Sequence, residues 1–296
     1  MMHALIYGKT VNNEQVPFVN QLFDLLLAEQ ATVYVFEPYF QEIKDKVKID
    51  THIELISSYF DLTDKKIDYV MTLGGDGTIL SAVTLIRDLQ IPIMGINLGR
   101  LGFLASIEQR YIDHALDLLK IGKFSLEGRT MLYLDSSQPI FGETPFALND
   151  FAILKRDNSS MIIIHAYING EFLNSYWADG LIVSTPTGST GYNLSCGGPI
   201  VFPDSNSLIL TPVAPHNLNV RPIVISDDTE LSFEVEGRTE NFLCTLDSRF
   251  ELITSEYKLK IRKCEFEIRL VQLHEMSIAK TMRNKLMWGF DTRKHY

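Results

Sequence analysis

Residues Gly74-Gly75-Asp76-Gly77-Thr78 set one carboxylate inside a segment shaped to receive phosphate. The apolar run Ile67–Leu73 before it reads as a buried strand, and from Thr78 to Leu89 the apolar residues recur at helical spacing. A strand, a glycine turn and a helix start together present unpaired backbone N–H groups, and these with the helix dipole attract anions. Glycine lets the backbone come close to a phosphate and reach conformations that side chains forbid. A carboxylate placed there repels phosphate, so Asp76 needs a chemical reason to be present. It can take a proton from an attacking hydroxyl, or hold a divalent metal. The plainer reading makes Asp76 a helix N-cap in a tight turn.

A second dense segment runs from Asp179 to Ser195 and on through Cys196-Gly197-Gly198-Pro199. It reads as an acidic turn, an apolar strand, and a loop bearing Thr185, Thr187, Ser189 and Thr190 with Gly188 and Gly191. Hydroxyls and free N–H groups there can hold ribose, phosphate or an amide without net charge. Tyr192 can stack on a flat ring or bond through its hydroxyl. The same composition also suits a well-capped connection from strand to helix. Asn149-Asp150 ends a further strand, Phe146–Leu148. Its amide and carboxylate suit an adenine edge or ribose hydroxyls, or else a simple turn.

These segments need elements to hold them, and the chain supplies two textures. The first half alternates short apolar strands (3–8, 32–36, 52–56, 67–73, 92–96) with helices at Glu14–Glu29, Phe40–Val47, after Asp76, and Gln109–Ile121. Such alternation predicts an α/β domain, a parallel sheet with helices on both faces and ligands at the carboxyl ends of its strands. Asp76 and the segment Asn97–Phe103 stand at two such ends. From about Leu126 the runs become short and rich in β-formers: Met131–Asp135, Ala152–Lys155, Met161–Ile168, Leu181–Ser184, Leu208–Leu210, Leu231–Val235, Phe242–Leu246 and Tyr257–Ile261. That pattern predicts an all-β, sandwich-like second domain. The boundaries are set at 1–125 and 126–274, with 275–296 returning to the first domain as a helix.

With 296 residues and 46% hydrophobic content the chain can bury a large core. No apolar run approaches the roughly 20 residues a membrane span needs, and the start lacks the flanks of a signal peptide. Cys196, Cys244 and Cys264 form neither a disulfide framework nor a metal-ligand pattern, which places the chain in a reducing cytoplasm. A formal charge of −10 argues against nucleic acid as the main partner, so local groups must draw in any anionic ligand. The tail, with Lys280, Arg283, Lys285, Arg293 and Lys294 against Asp291, reads as a solvated helix face or a basic flap near the ligand.

The segments Gly74–Thr78, Asn97–Phe103, Leu148–Asp150, Asp179–Thr190 and Thr211–Asn217 follow the order seen in the NAD kinases, and the chain resembles that family from about residue 67 to 225. The glycine–aspartate segment alone is shared with diacylglycerol-kinase-like enzymes and 6-phosphofructokinases; the long second segment is far more specific. The resemblance implies transfer of the ATP γ-phosphate to the 2′-hydroxyl of the adenosine ribose of NAD. It makes Asp76 the catalytic residue and puts Gly74, Gly75, Gly77 and Thr78 on phosphate. It sets Gly77 and Phe103 against NAD, with Phe103 facing adenine. Asn149 and Asp150 then hold the adenosine half and Asp179 the nicotinamide half. Thr187, Thr190, Gly191, Tyr192, Asn193, Leu194, Ser195 and Ala214 complete the NAD site, with Trp177 and Arg249 beside the dinucleotide. Mg²⁺ or another divalent cation accompanies ATP, and no protein-only metal cage is visible in the sequence.

Three residues depart from the family pattern. Asp150 stands where Glu is usual and is one methylene shorter. Trp177 replaces an Arg of some relatives. Asp247-Ser248-Arg249 resembles a loop ending in Gln, from which Arg249 can reach a phosphate. The resemblance also implies a homo-oligomer, dimer or tetramer, formed through the β domain. Two rival functions are a lipid or sugar kinase using the same glycine loop, and a catalytically silent dinucleotide sensor. The first lacks its lipid groove or sugar-phosphate Arg/Lys cluster; the second gives no reason to keep Asp76.

Overall fold

The computed structural model describes residues 1–99, 101–156, 160–238, 240–273 and 278–288. The chain divides into two units, Met1–Glu127 joined by the segment from Ile268, and Gly128–Glu267.

In the first unit, β1 (His3–Gly8), β2 (Thr32–Phe36), β3 (Ile53–Ile56), β4 (Tyr69–Leu73) and β5 (Ile93–Asn97) pair in parallel in the order β3-β2-β1-β4-β5. Short β6 (Ile107–Glu108) adds to β5, as does the late strand Ile268–Leu273, which separates β5 from β7 (Phe124–Arg129). The helices are α1 (Val16–Ala28), α2 (Glu37–Ile43), α3 (Tyr59–Thr63), α4 (Asp76–Ile86) and α5 (Ile112–Lys120). Side chains alternate across a strand, and Ala4, Ile6, Met71, Leu73, Met94 and Ile96 point into one core with the apolar stripes of α1 and α5. On the opposite face Ile79 of α4 presses on Gly95, where a Cβ would come within 2.7 Å of it. Helices therefore cover both faces. The strand order reverses between β1 and β4, so the ligand crevice of such a sheet opens at their carboxyl ends.

The second unit begins with β8 (Leu132–Ser136), β9 (Phe146–Ala147), β10 (Asp150–Lys155), β11 (Ile162–Ile168), β12 (Glu171–Ala178) and β13 (Gly180–Ser184). It continues with β14 (Ser207–Val213), β15 (Ile223–Ser226), β16 (Leu231–Glu236), β17 (Phe242–Leu246), β18 (Arg249–Ile253) and β19 (Leu259–Lys263). Two antiparallel sheets result, β15-β14-β13-β10-β17-β18 and β12-β11-β16-β19-β8-β9. Alternate residues of both, such as Phe151, Ile153 and Val183 on one and Ile164, Phe233 and Ile261 on the other, enclose one apolar core. Phe151 and Phe233 meet with ring centroids 5.7 Å apart. The unit is a sandwich, as its short alternating runs require.

Three features differ from the sequence reading. The strand Ile268–Leu273, now β20, pairs with β5 and not with the second unit's sheets. Its run of buried apolar residues suits either sheet, and only the pairing decides. The second helix starts at Glu37, directly after β2, because Pro38 fits the first helical turn. Helix α3 at Tyr59–Thr63 is too short to show a period in the sequence. A short α6 (Tyr192–Ser195) lies in the second unit, and the final helix is α7 (Ile278–Leu286). Arg293, Lys294 and Asp291 lie outside the described residues. No helix among the described residues is long and apolar enough to cross a membrane.

Candidate functional site

Gly74 follows β4 with φ +153°, and a Cβ there would run into the Thr78 hydroxyl. Gly75 is the extended N-cap of α4, so Asp76 is its first helical residue and not the cap. The Asp76 carboxylate turns instead to the segment after β5. Its Oδ2 accepts the Phe103 N–H at 2.9 Å, and its Oδ1 accepts those of Leu104 at 3.0 Å and Ala105 at 2.9 Å. Gly102 is required for this approach, since a Cβ would occupy the place of the Asp76 oxygen. A carboxylate offers about four acceptor positions; the three amides leave one, on Oδ2. Phe103 is half-buried, and the Lys285 ammonium of α7 lies 5.6 Å from its ring centre.

The glycine loop also lines a cavity of about 310 Å³, together with Lys9, Thr10, Gln15, Leu73, Thr78 and Asn97–Gly99. Gly74, Gly75 and Thr78, expected on phosphate, do line it; Gly77 is exposed and outside it. The first amides of a helix have no intrahelical acceptor, so α4 offers its N–H groups at this loop.

In the second unit the start of β10 and the end of β13 are neighbours, Asp150 opposite Ser184. Beyond Ser184 the chain folds back on β10. Thr185 donates its N–H to Asn149 O at 2.9 Å and its hydroxyl to Leu148 O at 2.6 Å, and accepts the Gly188 N–H at 3.0 Å. The 3₁₀ turn Thr187–Thr190 and α6 follow. Gly191 then faces both Asn149 and Asp150, whose side-chain atoms lie 3.7 and 3.6 Å from where its Cβ would be. Thr190, Gly191 and Leu194 are half-buried, Tyr192 and Ser195 exposed, and Thr187 buried.

Asp150 is 6% exposed and accepts the Tyr192 N–H. Burial, reinforced by the nearby Asp247 carboxylate, pushes its carboxyl up to about 7. Asp247, at the β17–β18 turn with φ +53°, accepts the N–H groups of Leu148 at 3.0 Å, Asn149 at 2.7 Å and Asp150 at 3.3 Å. Burial raises the Asp247 carboxyl too, against the pull of those amides and of Arg249. Beside this pair the Asn149 side-chain amide is half-buried and makes no hydrogen bond among the described residues. Asp179 joins the group by raising the Tyr192 hydroxyl electrostatically, after burial and Cys196. Its Oδ1 pairs with Lys155 Nζ at 2.7 Å. Trp177, 49% exposed, and Ala214, exposed with φ +45°, flank it through the pairing of β13 with β14.

Two side chains expected on a ligand are bonded within the chain. Asn193 is fully buried, donates from Nδ2 to Ser189 O and Pro199 O at 3.0 Å each, and accepts the Thr211 hydroxyl at 2.6 Å. Both Nδ2 hydrogens of Asn193 and one acceptor position of its Oδ1 are thus taken within the chain. Arg249 donates to Thr144 O at 2.6 Å, to the Thr144 hydroxyl at 2.8 Å and to Phe146 O. Arg249 is half-buried, and its guanidinium is turned to these oxygens of the segment before β10. Conversely, the sequence gives no sign of Lys155, Lys9 and Gln15 as members of these clusters, and it marks the loop of Asp247 without the amides that Asp247 holds. No group of three or more His, Cys, Asp or Glu among the described residues is arranged to hold a metal.

Residues 5–124 match the ATP-NAD kinase N-terminal domain family and residues 148–273 the ATP-NAD kinase C-terminal domain family. The NAD kinase of Cytophaga hutchinsonii is 46% identical over 297 residues, covering 99% of this chain and 100% of that protein. That of Flavobacterium psychrophilum is 45% identical over 294 residues, with the same coverage of both. Among solved structures, a yeast NADH kinase complexed with NADH superposes with a TM-score of 0.89 at 21% identity, over 100% of this chain and 90% of that one. An NAD kinase from Archaeoglobus fulgidus in complex with ATP gives 0.72 at 24%, over 97% and 98%. With both domains matched and relatives of this identity aligned along their whole length, the chain belongs to the NAD kinase family.

Proposed function

We propose that Asp76 receives the 2′-hydroxyl of the NAD adenosine ribose and that the glycine loop holds the ATP phosphates, in the ATP-dependent NAD kinase reaction of this chain. The observation that carries the assignment is the geometry of the Asp76 carboxylate. Three amides fix it in place and leave one acceptor position, on Oδ2. A ribose hydroxyl donating there is oriented, and its proton has somewhere to go as its oxygen attacks the γ-phosphorus. Proton transfer of this kind contributes roughly 10²–10⁴-fold; alignment and charge neutralisation supply most of the remainder in phosphoryl transfer.

The second unit's assignments follow the family resemblance, supported by which groups stand together there. Asn149 offers its free amide beside Asp150, and these are assigned to the adenosine half. Asp179, half-exposed and held by Lys155, is assigned to the nicotinamide half with Tyr192 beside it. Thr190, Gly191, Leu194 and Ser195, beside Asn149 and Asp150 in the same turn, and Trp177 and Ala214, beside Asp179, are assigned to the dinucleotide with them. The yeast neighbour's NADH and the archaeal neighbour's ATP are the ligand classes we extend to this chain.

A magnesium ion fits as part of the ATP substrate, not as a resident of the protein. No carboxylate among the described residues lines the cavity on the glycine loop, and Mg²⁺ is usually held through substrate phosphates and water. We also assign a cytoplasmic setting, which the three free thiols support, and a homo-oligomer formed through the β unit. Phe250 and Leu252, both exposed on the edge strand β18, support that interface. The direct test is incubation of the pure protein with NAD, ATP and Mg²⁺, with NADP and ADP appearing in equal amounts. Hydrolysis of ATP without NADP would defeat the proposal.

A further inference from the structure

In the first unit β1 and β4 run side by side with Gly8 opposite Leu73, so the next residues, Lys9 and Gly74, leave the sheet together where its strand order reverses. Both line the cavity on the glycine loop. Among the described residues that line it, Lys9 is the one that carries charge, and its ammonium makes no ion pair or hydrogen bond with any described residue. In a chain with 37 acidic and 27 basic residues, an exposed lysine without a carboxylate partner stands apart from its surroundings. Its backbone is not loose. Asn12 and Gln15 exchange hydrogen bonds of 3.0 Å, and Gln15 Nε2 donates to Leu98 O at 3.0 Å, tying the segment after β1 to the opposite wall of the cavity.

We propose that Lys9 is a positioning residue that docks the terminal phosphates of ATP on the glycine loop; this rests on the reading of that loop as the ATP-phosphate site. An ammonium on a flexible stem serves as a point charge for phosphate. Asp76, which would repel the same phosphates, has its charge shared with the amides of Phe103–Ala105 and is not among the residues that line the cavity. Lys9 and the amides at the start of α4 thus supply positive charge that the acidic molecule as a whole does not.

The test is steady-state kinetics on Lys9→Met, Lys9→Arg, Lys44→Met and Gly75→Val, with melting temperatures as a fold control. Lys44 is exposed, unpaired among the described residues, and removes the same charge away from the cavity lining. Gly75 has ordinary φ of −94° and open space around its Cβ, so valine folds there yet blocks the loop. Lys9→Met should raise the KM for MgATP about 10- to 100-fold, as loss of a charge-assisted phosphate contact does. It should leave the KM for NAD unmoved, and Lys9→Arg should restore most of the loss. Inorganic tripolyphosphate, competing with ATP, should inhibit Lys9→Met more weakly by a similar factor. A KM for ATP unmoved in Lys9→Met but raised in Gly75→Val overturns the role of Lys9 alone. Unmoved in both, it overturns the loop assignment beneath it. An equal rise in Lys44→Met reduces Lys9 to a share of the general field and overturns it too.

Discussion

Replacing Asp76 by asparagine keeps the size of the side chain but turns one acceptor into a donor. The amide oxygen can keep the N–H groups of Leu104 and Ala105, and Nδ2 then faces the Phe103 N–H, donor to donor. We expect kcat to fall by at least about 10²-fold, NAD binding by calorimetry to persist, and hydrogen exchange to quicken at Phe103. A variant with most of its kcat would remove Asp76 from proton transfer. Asp179 calls for a paired experiment, because its ion pair with Lys155 is an alternative reason for its presence. Asp179→Ala should raise the KM for NAD by roughly tenfold or more with the KM for ATP unchanged. If Lys155→Met and Asp179→Ala instead lower the melting temperature alike, with both KM values intact, Asp179 only braces the turn. The Asp150 carboxyl stands at about 7 against an ordinary 3.8. A carboxyl raised in the folded state stabilises fully below its unfolded value, and that stability is lost as pH climbs through the folded one. Asp150→Asn is free of this loss, so its melting temperature relative to wild type should climb between about pH 4 and pH 8. A difference that stays flat over that range would show that no buried ionisation occurs there.

The segment 185–201 is held in shape by side chains bonded within the chain. Asn193 joins Ser189, Pro199 and Thr211, and Gly198 packs against it so closely that a Cβ would collide with its side-chain oxygen. Asn193→Ala leaves these buried partners unpaired, at about 1–3 kcal/mol each; the melting temperature should drop by at least about 5 °C. A variant that melts like wild type but binds NAD poorly would return Asn193 to the ligand. Composition alone could not separate the two roles, since a threonine, asparagine and glycine loop suits both. The glycine loop, Asn149-Asp150 and the long second segment were legible because each packs its chemistry into consecutive residues. The role of Asp247 was not, since its three amides lie about a hundred residues away in the chain and the resemblance of Asp247-Ser248-Arg249 to a family loop pointed to Arg249 instead. The same limit governs the strands. Those that the sequence leaves unmarked in the second unit, β12, β15 and β18, all stand at sheet edges. An edge strand has one neighbour and wetter side chains, so Glu171–Ala178 lacks the branched apolar run that marks an interior strand.

For the whole molecule, the charge of −10 sets the terms on which a nucleotide enters. ATP brings several negative charges to a protein that repels them, and the described residues hold no cluster able to keep a metal of their own. Activity should therefore vanish in excess EDTA and return with added Mg²⁺, following the concentration of the metal–ATP complex. Full activity with metal-free ATP would contradict this. The path of the chain has a different consequence. Strand β20 lies between β5 and β7 in the first sheet, yet the ribosome makes it only after the entire second unit. At about 5–20 residues per second the wait is on the order of ten seconds. Until then β7 has no partner strand and one side of β5 stays open to other chains. A nascent chain stalled before Ile268 should thus recruit a chaperone that one stalled beyond Leu273 has already released.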